Sequence, residues 1–204
     1  MGVDLYERIG LYKVEIQERG MPEEDKEASS FMKLGDFVED CMKLDEKAFI
    51  QRHAEAYFLH HGPIGKLQAA QVSHATLSSE FSGTSPDRPF NPKADFLVFE
   101  VKQRVGSDSD DTIWLGRSDS NDIIINDASV SAVHAFIRKG DGGGYFLQDM
   151  NSMNGSFVDD ERVPAQGVGG PLGLRTGARV VLGSVAMSFL QVAEFRSLIR
   201  RLLG

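Results

Sequence analysis

Two hydrophobic patterns divide the chain. Up to about residue 63, apolar residues recur at helical spacing. From about residue 95 onward they come in short runs bounded by Gly, Asn, Asp and Ser, which is the pattern of strands and turns. The stretch between them, 64–92, is rich in Ser, Thr and Gly and carries Pro86, Pro89 and Pro92. Proline denies regular structure its backbone donor, so 64–92 reads as a linker.

In the first part, Leu5, Ile9, Tyr12 and Ile16 fit a helical stripe, while Tyr12, Val14 and Ile16 also alternate like a strand. Met21-Pro22-Glu23-Glu24-Asp25 suits a helix start, because acids favour the positive end of the helix dipole. Phe31, Leu34, Val38 and Cys41 then share a face, and a further helix is expected over Glu46–His60 with Phe49, Ile50, Ala54, Tyr57 and Phe58 inward. His61-Gly62-Pro63 would end it. The expected organisation is an α-helical region at 1–63, a linker at 64–92, a β-sandwich at 93–192 and a C-terminal helix at 193–204.

Strands are expected at Phe96–Val101, Ile113–Leu115, Ile123–Ile125, Val133–Arg138, Tyr145–Asp149, Ser156–Val158, Arg162–Val163, Arg179–Leu182 and Val185–Leu190. Many short strands at close spacing imply a mainly β sandwich or barrel. Gly106–Asp110 and Gly140–Gly144 read as turns. Phe195, Leu198, Ile199 and Leu202 follow a helical stripe that docks back on the strands, with Arg196, Arg200 and Arg201 elsewhere on the turn.

Charge narrows the partners. The 204 residues carry a formal charge of −8, which argues against a broad nucleic-acid or anionic-membrane surface. The acid excess lies mostly before Lys93: ten basic against sixteen acidic residues there, twelve against fourteen from Lys93 onward. The second part is therefore close to neutral. Cys41 is the only cysteine, so no intrachain disulfide forms, and a reducing cytoplasm is the expected compartment. No apolar run approaches a membrane span, and MGVDLYERIG has no signal-peptide core.

His53, His60 and His61 lack the carboxylates or cysteines that would complete a metal set, and read as solvated or locally bonded. No cofactor is expected. There is no HExxH and no nucleophile elbow, and Gly167-Val168-Gly169-Gly170 lacks the Lys and Ser/Thr of a phosphate loop. Catalysis is not expected.

The remaining candidate chemistry sits on loops between strands: Gly116-Arg117, then Ser131-Ala132-Val133-His134, then Asn151-Ser152-Met153-Asn154-Gly155. With Asp149 and the Asn121-Asp122-Ile123 run, the order and spacing resemble the forkhead-associated (FHA) family, of a bacterial type with an N-terminal helical extension. The resemblance covers about Asp95 to Gln191. It implies an FHA-like β-sandwich of short antiparallel strands that binds phosphothreonine peptides.

On that resemblance Arg117, Ser131, Ala132, Met153 and Asn154 face the phosphopeptide, while Gly116, His134 and Gly155 support the loops. Guanidinium matches a phosphate dianion with forked donors and a permanent charge. Ser131 offers a hydroxyl donor, and Asn154 an amide that both donates and accepts. Each also has a plainer reading: Arg117 pairing with Asp119 or Asp122, Ser131 capping a turn, Asn154-Gly155 as a tight turn. Two positions depart from the family pattern. Met153 stands where the family usually has Thr, and Ala132 where it often has Arg, Lys or Asn.

The expected partner is a phosphothreonine-containing protein or peptide in serine/threonine-kinase signalling. The alternative is a phospho-independent protein-protein interaction scaffold working through the N-terminal helices or a non-phosphate surface of the FHA-like sandwich. Thr84-Ser85-Pro86-Asp87 places Asp three residues after Thr, a spacing the family often selects, so self-recognition through phosphorylated Thr84 is a further expectation.

Overall fold

A computed structural model describes residues 31–61, 96–104 and 111–203. The helices expected within 1–30, the linker with Thr84 and the turn at 106–110 lie outside the described residues.

Two sheets face each other. The first contains β1 (Met32–Lys33), β2 (Ala56–His61), β3 (Phe96–Glu100), β8 (Ser156–Val158), β9 (Glu161–Arg162), β11 (Arg179–Leu182) and β12 (Val185–Gln191), in the order β1-β3-β2-β12-β11-β8-β9. The second contains β4 (Thr112–Gly116), β5 (Ile123–Ile124), β6 (Ala135–Lys139), β7 (Tyr145–Asp149) and β10 (Leu172–Leu174), in the order β10-β7-β6-β4-β5. All pairings between these strands are antiparallel except β4 with β5. The mainly β sandwich expected from the turn-bounded runs is what the chain forms.

The helices among the described residues are α1 (Val38–Lys43), α2 (Glu46–Arg52) and α3 (Val192–Leu203), with a 3-10 turn at Leu34–Phe37 leading into α1. Asp45 caps α2, its side chain accepting from Ala48 N–H at 2.8 Å. The helix expected over Glu46–His60 is corrected here. It ends at Arg52, and Ala56–His61 is a strand between β3 and β12. The N-terminal part thus supplies an inner strand of the larger sheet, and the sandwich does not begin at residue 93.

The reason is two-sided burial. Ala56 and Phe58 enter the core between the sheets, while Tyr57 and Leu59 enter a second core on the outer face of the larger sheet. A strand buried on both faces shows no polar alternation, and its apolar run is easily read as a continuing helix. The second core joins Leu34, Phe37, Cys41, Phe49, Val98, Phe195 and Ile199. Tyr57 stacks on Phe195 with ring centroids 3.9 Å apart, and Phe37 meets Phe195 edge-on at 5.2 Å. The Tyr57 hydroxyl donates to Ala54 O at 2.7 Å, and burial raises its pKa well above the ordinary tyrosine value.

Arg196 is the other departure. Instead of lying on the outer side of α3 it is buried, donates to Leu44 O and packs over the Phe49 ring. Its stem covers apolar surface while its head satisfies a helix-end carbonyl. His53 is locally bonded: Nε2 lies 2.8 Å from Asp40 Oδ2, and Nδ1 3.4 Å from Glu100 Oε1. No metal-binding cluster occurs among the described residues. None of the described helices is long and apolar enough to cross a membrane.

Candidate functional site

The three motif-bearing loops leave the strands at one end of the sandwich and are cross-linked there. Gly116 closes β4, with the first loop following. A Cβ on Gly116 would fall 2.3 Å from Ala132 O, so only glycine lets the first two loops approach this closely. Arg117 N–H then donates to Ser131 O at 2.9 Å and Ser118 N–H to Ala132 O at 3.0 Å. Asn121 reinforces the junction, its Nδ2 donating to Ser118 O and to Ala132 O, each at 2.7 Å. The neighbouring Asp122 accepts from Arg104 N–H and Trp114 N–H, both at 2.8 Å, and is thereby committed to the backbone.

Arg117 is exposed, and its Nε donates to Val130 O at 3.2 Å. It makes no ion pair among the described residues, so pairing with Asp119 or Asp122 does not account for it.

His134 ties the second loop to the third. Its Nδ1 accepts from Ser131 N–H at 2.9 Å, which leaves the proton on Nε2 to donate to Gly155 O at 3.1 Å. The ring is fully buried. Burial pushes its pKa below the usual histidine value, although the Gly155 carbonyl and the Asp149 charge pull the other way. Both nitrogens are engaged in bracing the loops.

Asp149, buried at the end of β7, shapes the third loop. Its oxygens accept from Ser152 N–H at 2.9 Å, from Ser152 Oγ at 2.6 Å and from Ser156 Oγ at 2.6 Å. Ser152 Oγ in turn accepts from Gly155 N–H at 3.0 Å. Asn151 (φ 58°) and Gly155 (φ 81°) make the left-handed bends. The turn is tight, and the Asn154 side chain remains exposed on it.

Ser131 and Asn154 face a common edge. Ser131 Oγ accepts from Met153 N–H at 3.1 Å, so its own proton is left to donate elsewhere. Asn154 Nδ2 donates to Ser129 O at 2.7 Å, leaving its carbonyl oxygen and second N–H available. The Ala132 side chain is exposed, and Met153 is 88% exposed. All eight residues singled out in the sequence therefore lie on these joined loops or, for Gly116, at their root.

The sequence reading overlooked a fourth contributor. Ser129 is held by Asp127 Oδ1, which accepts from its N–H at 2.8 Å and its hydroxyl at 2.6 Å, and Ser129 Oγ accepts from Ser184 N–H at 2.8 Å. Gly183 N–H donates to Gly155 O at 3.1 Å. The β11–β12 turn thus backs the site. The Gly183-Ser184 pair between two strands was the available signal for a tight turn, but nothing in the sequence placed it beside Asn154.

Residues 113–183 match the family model described as FHA domain. No curated protein sequence matches the chain. Among solved structures, the FHA domain of CT664 protein from Chlamydia trachomatis is 18% identical with a TM-score of 0.40, covering 67% of this chain and 97% of that one. The FHA domain of an Arabidopsis thaliana hypothetical protein is 21% identical with a TM-score of 0.41, covering 67% and 86%. The N-terminal FHA domain from S. cerevisiae Rad53p, in complex with a phosphothreonine peptide, is 17% identical with a TM-score of 0.39, covering 50% and 89%.

Proposed function

From the premise that residues 113–183 form an FHA domain, we propose that the chain is a phosphothreonine-peptide-binding adaptor in serine/threonine-kinase signalling. Arg117 is the principal phosphate ligand, Ser131 a second donor, and Asn154 the holder of the bound peptide's backbone. Ala132 and Met153 line the same edge, and Gly116, His134 and Gly155 keep the loops in place.

The observation that carries this reading is the state of the donors. Arg117 has no carboxylate partner among the described residues, and Ser131 Oγ is already an acceptor, so its proton is left to donate. A preorganised set of unspent donors suits an anion with three acceptor oxygens. His134 is spent on two backbone partners, which favours binding over general-base chemistry.

The test is titration of the full chain with an oriented phosphothreonine peptide library, alongside phosphoserine and unphosphorylated versions. Arg117→Ala is expected to cost about 1.5–3 kcal/mol of affinity, the range of hydrogen bonds to charged groups. Unchanged phosphopeptide affinity in that variant would remove Arg117 from the role.

One observation favours self-recognition as a second reading. β2 ends at His61, directly paired with Phe96 at the start of β3. The His60 ring donates from Nδ1 to Ala186 O at 2.7 Å, two residues from the Ser184 that backs the site. Both ends of the 62–95 connection therefore lie at the recognition end. Phosphorylated Thr84 would bind in the same chain or a neighbouring one, with tethering supplying an effective concentration of about a millimolar. A phosphorylated chain whose solution mass and shape do not respond to Thr84→Ala would eliminate it.

A further inference from the structure

The strand pair beyond the third loop brings up a second exposed guanidinium. β8 and β9 are joined by the two residues Asp159 (φ 48°) and Asp160 (φ 68°), the two-residue turn that matches strand twist. The register this imposes sets Arg162 opposite Phe157. From there its side chain reaches back over the third loop. The atoms nearest to where a Cβ on Gly155 would stand are Arg162 Nη2 at 3.3 Å, with Cζ and Nε at 3.5 Å. Gly155 is favoured by its positive φ, and the guanidinium lies over it.

The charge balance around Arg162 is uneven. Arg175 pairs with Asp159 at 3.0 Å and Arg179 with Asp160 at 3.2 Å, so the acids of the hairpin turn are taken. Among the described residues Arg162 makes neither an ion pair nor a hydrogen bond. It is exposed, and its sequence neighbour Glu161 points to the opposite side of the strand. A contact chain connects it to the phosphate ligand: Arg117 bonds Ser131, Ser131 bonds His134, His134 bonds Gly155, and Gly155 lies under Arg162.

We propose that Arg162 is a specificity-determining residue that reads a second anionic group, an acidic side chain or a second phosphate, on the peptide segment that passes the Asn154-Gly155 turn. The proposal rests on the phosphothreonine-binding reading above. A peptide anchored by phosphate at Arg117 and by its backbone at Asn154 runs on past Gly155. There Arg162 offers forked donors and a permanent charge. The same turn that carries the generic anchor therefore carries a selector beside it.

The experiment uses the full chain and a phosphothreonine library degenerate at the flanking positions, with phosphoserine included among the residues. Wild type is expected to select Asp or Glu, or phosphoserine, at one flanking position; the preferred residue distinguishes the two sources of the anion. Arg162→Ala should lose that selection, lowering affinity for the selected peptide by about three- to tenfold, the scale of an exposed charge-assisted contact. Phosphothreonine dependence should persist, Arg162→Lys should restore part of the preference, and Arg162→Glu should invert it toward Lys or Arg. Wild type that binds phosphothreonine without an anionic preference, or Arg162→Ala that keeps it, overturns the proposal alone. Wild type that binds no phosphothreonine peptide overturns the underlying reading and this one with it.

Discussion

The motif-bearing loops and the outer core of the larger sheet are held by opposite means. The loops are fixed by single polar contacts, each with a defined donor and acceptor: His134 between two backbone groups, Asp149 among two serines and an N–H, Asn121 across two carbonyls. The outer core is fixed by aromatic and aliphatic packing around Tyr57, Phe37, Phe49 and Phe195. Polar bracing tolerates few residue types at each position. Apolar packing accepts many residues of suitable volume. That difference decides how each region responds to change, and how each is written in the sequence.

The largest effect should come from removing β2. A fragment spanning 93–204 keeps every residue of the site but lacks the strand between β3 and β12. It is expected not to fold, losing far-ultraviolet β signal and amide dispersion by NMR. A folded fragment would show that the outer core is dispensable to the loops. Next, Phe195→Ala should cost about 3–5 kcal/mol of stability, the range for truncating a buried phenylalanine. Denaturant unfolding measures it, and phosphopeptide affinity of the folded fraction should stay unchanged. An affinity loss would mean that the two regions are coupled.

A smaller effect tests the polar end. Met153→Thr would place a hydroxyl at an exposed loop position whose N–H already bonds Ser131. Phosphopeptide affinity should rise by about 0.5–1.5 kcal/mol, the net value of one hydrogen bond, with little change in stability. Isothermal titration reads the affinity and denaturant unfolding the stability, and no gain in affinity would show that Met153 is not beside the phosphate.

The smallest effect concerns pH. His134 is neutral in the fold with its pKa lowered by burial, so the unfolded chain takes up the proton first as pH falls. Stability is fully present above the ordinary histidine value of about 6.5 and declines below it, until the folded-state value is passed. Unfolding at pH 7.5 and 5.5 should therefore show a steeper acid loss in wild type than in His134→Gln. Equal losses would assign the effect to other groups.

The same contrast explains what the sequence revealed. The strands β3 to β9, β11 and β12 were legible because turn residues bound each run, and the three loop motifs were legible because each needs a particular side chain. β2 was hidden, since burial on both faces erased the alternation that distinguishes a strand from a helix. Arg196 was hidden because its burial depends on Leu44 and Phe49, which are distant in sequence. Arg162 was nearly readable. The Asp159-Asp160 turn fixes the hairpin register, and counting back from it would have set Arg162 against Phe157, two residues beyond Gly155.

The pairing of His61 with Phe96 also makes this a domain in two pieces. A sheet does not require that its neighbouring strands be covalently continuous. Doubling the length of the 62–95 connection adds only about 0.6 kcal/mol of closure entropy. Severing it would leave β2 held by its ladders to β3 and β12 and by both cores. The chain is accordingly suited to split-protein complementation, with the first piece delivered in trans to complete the larger sheet.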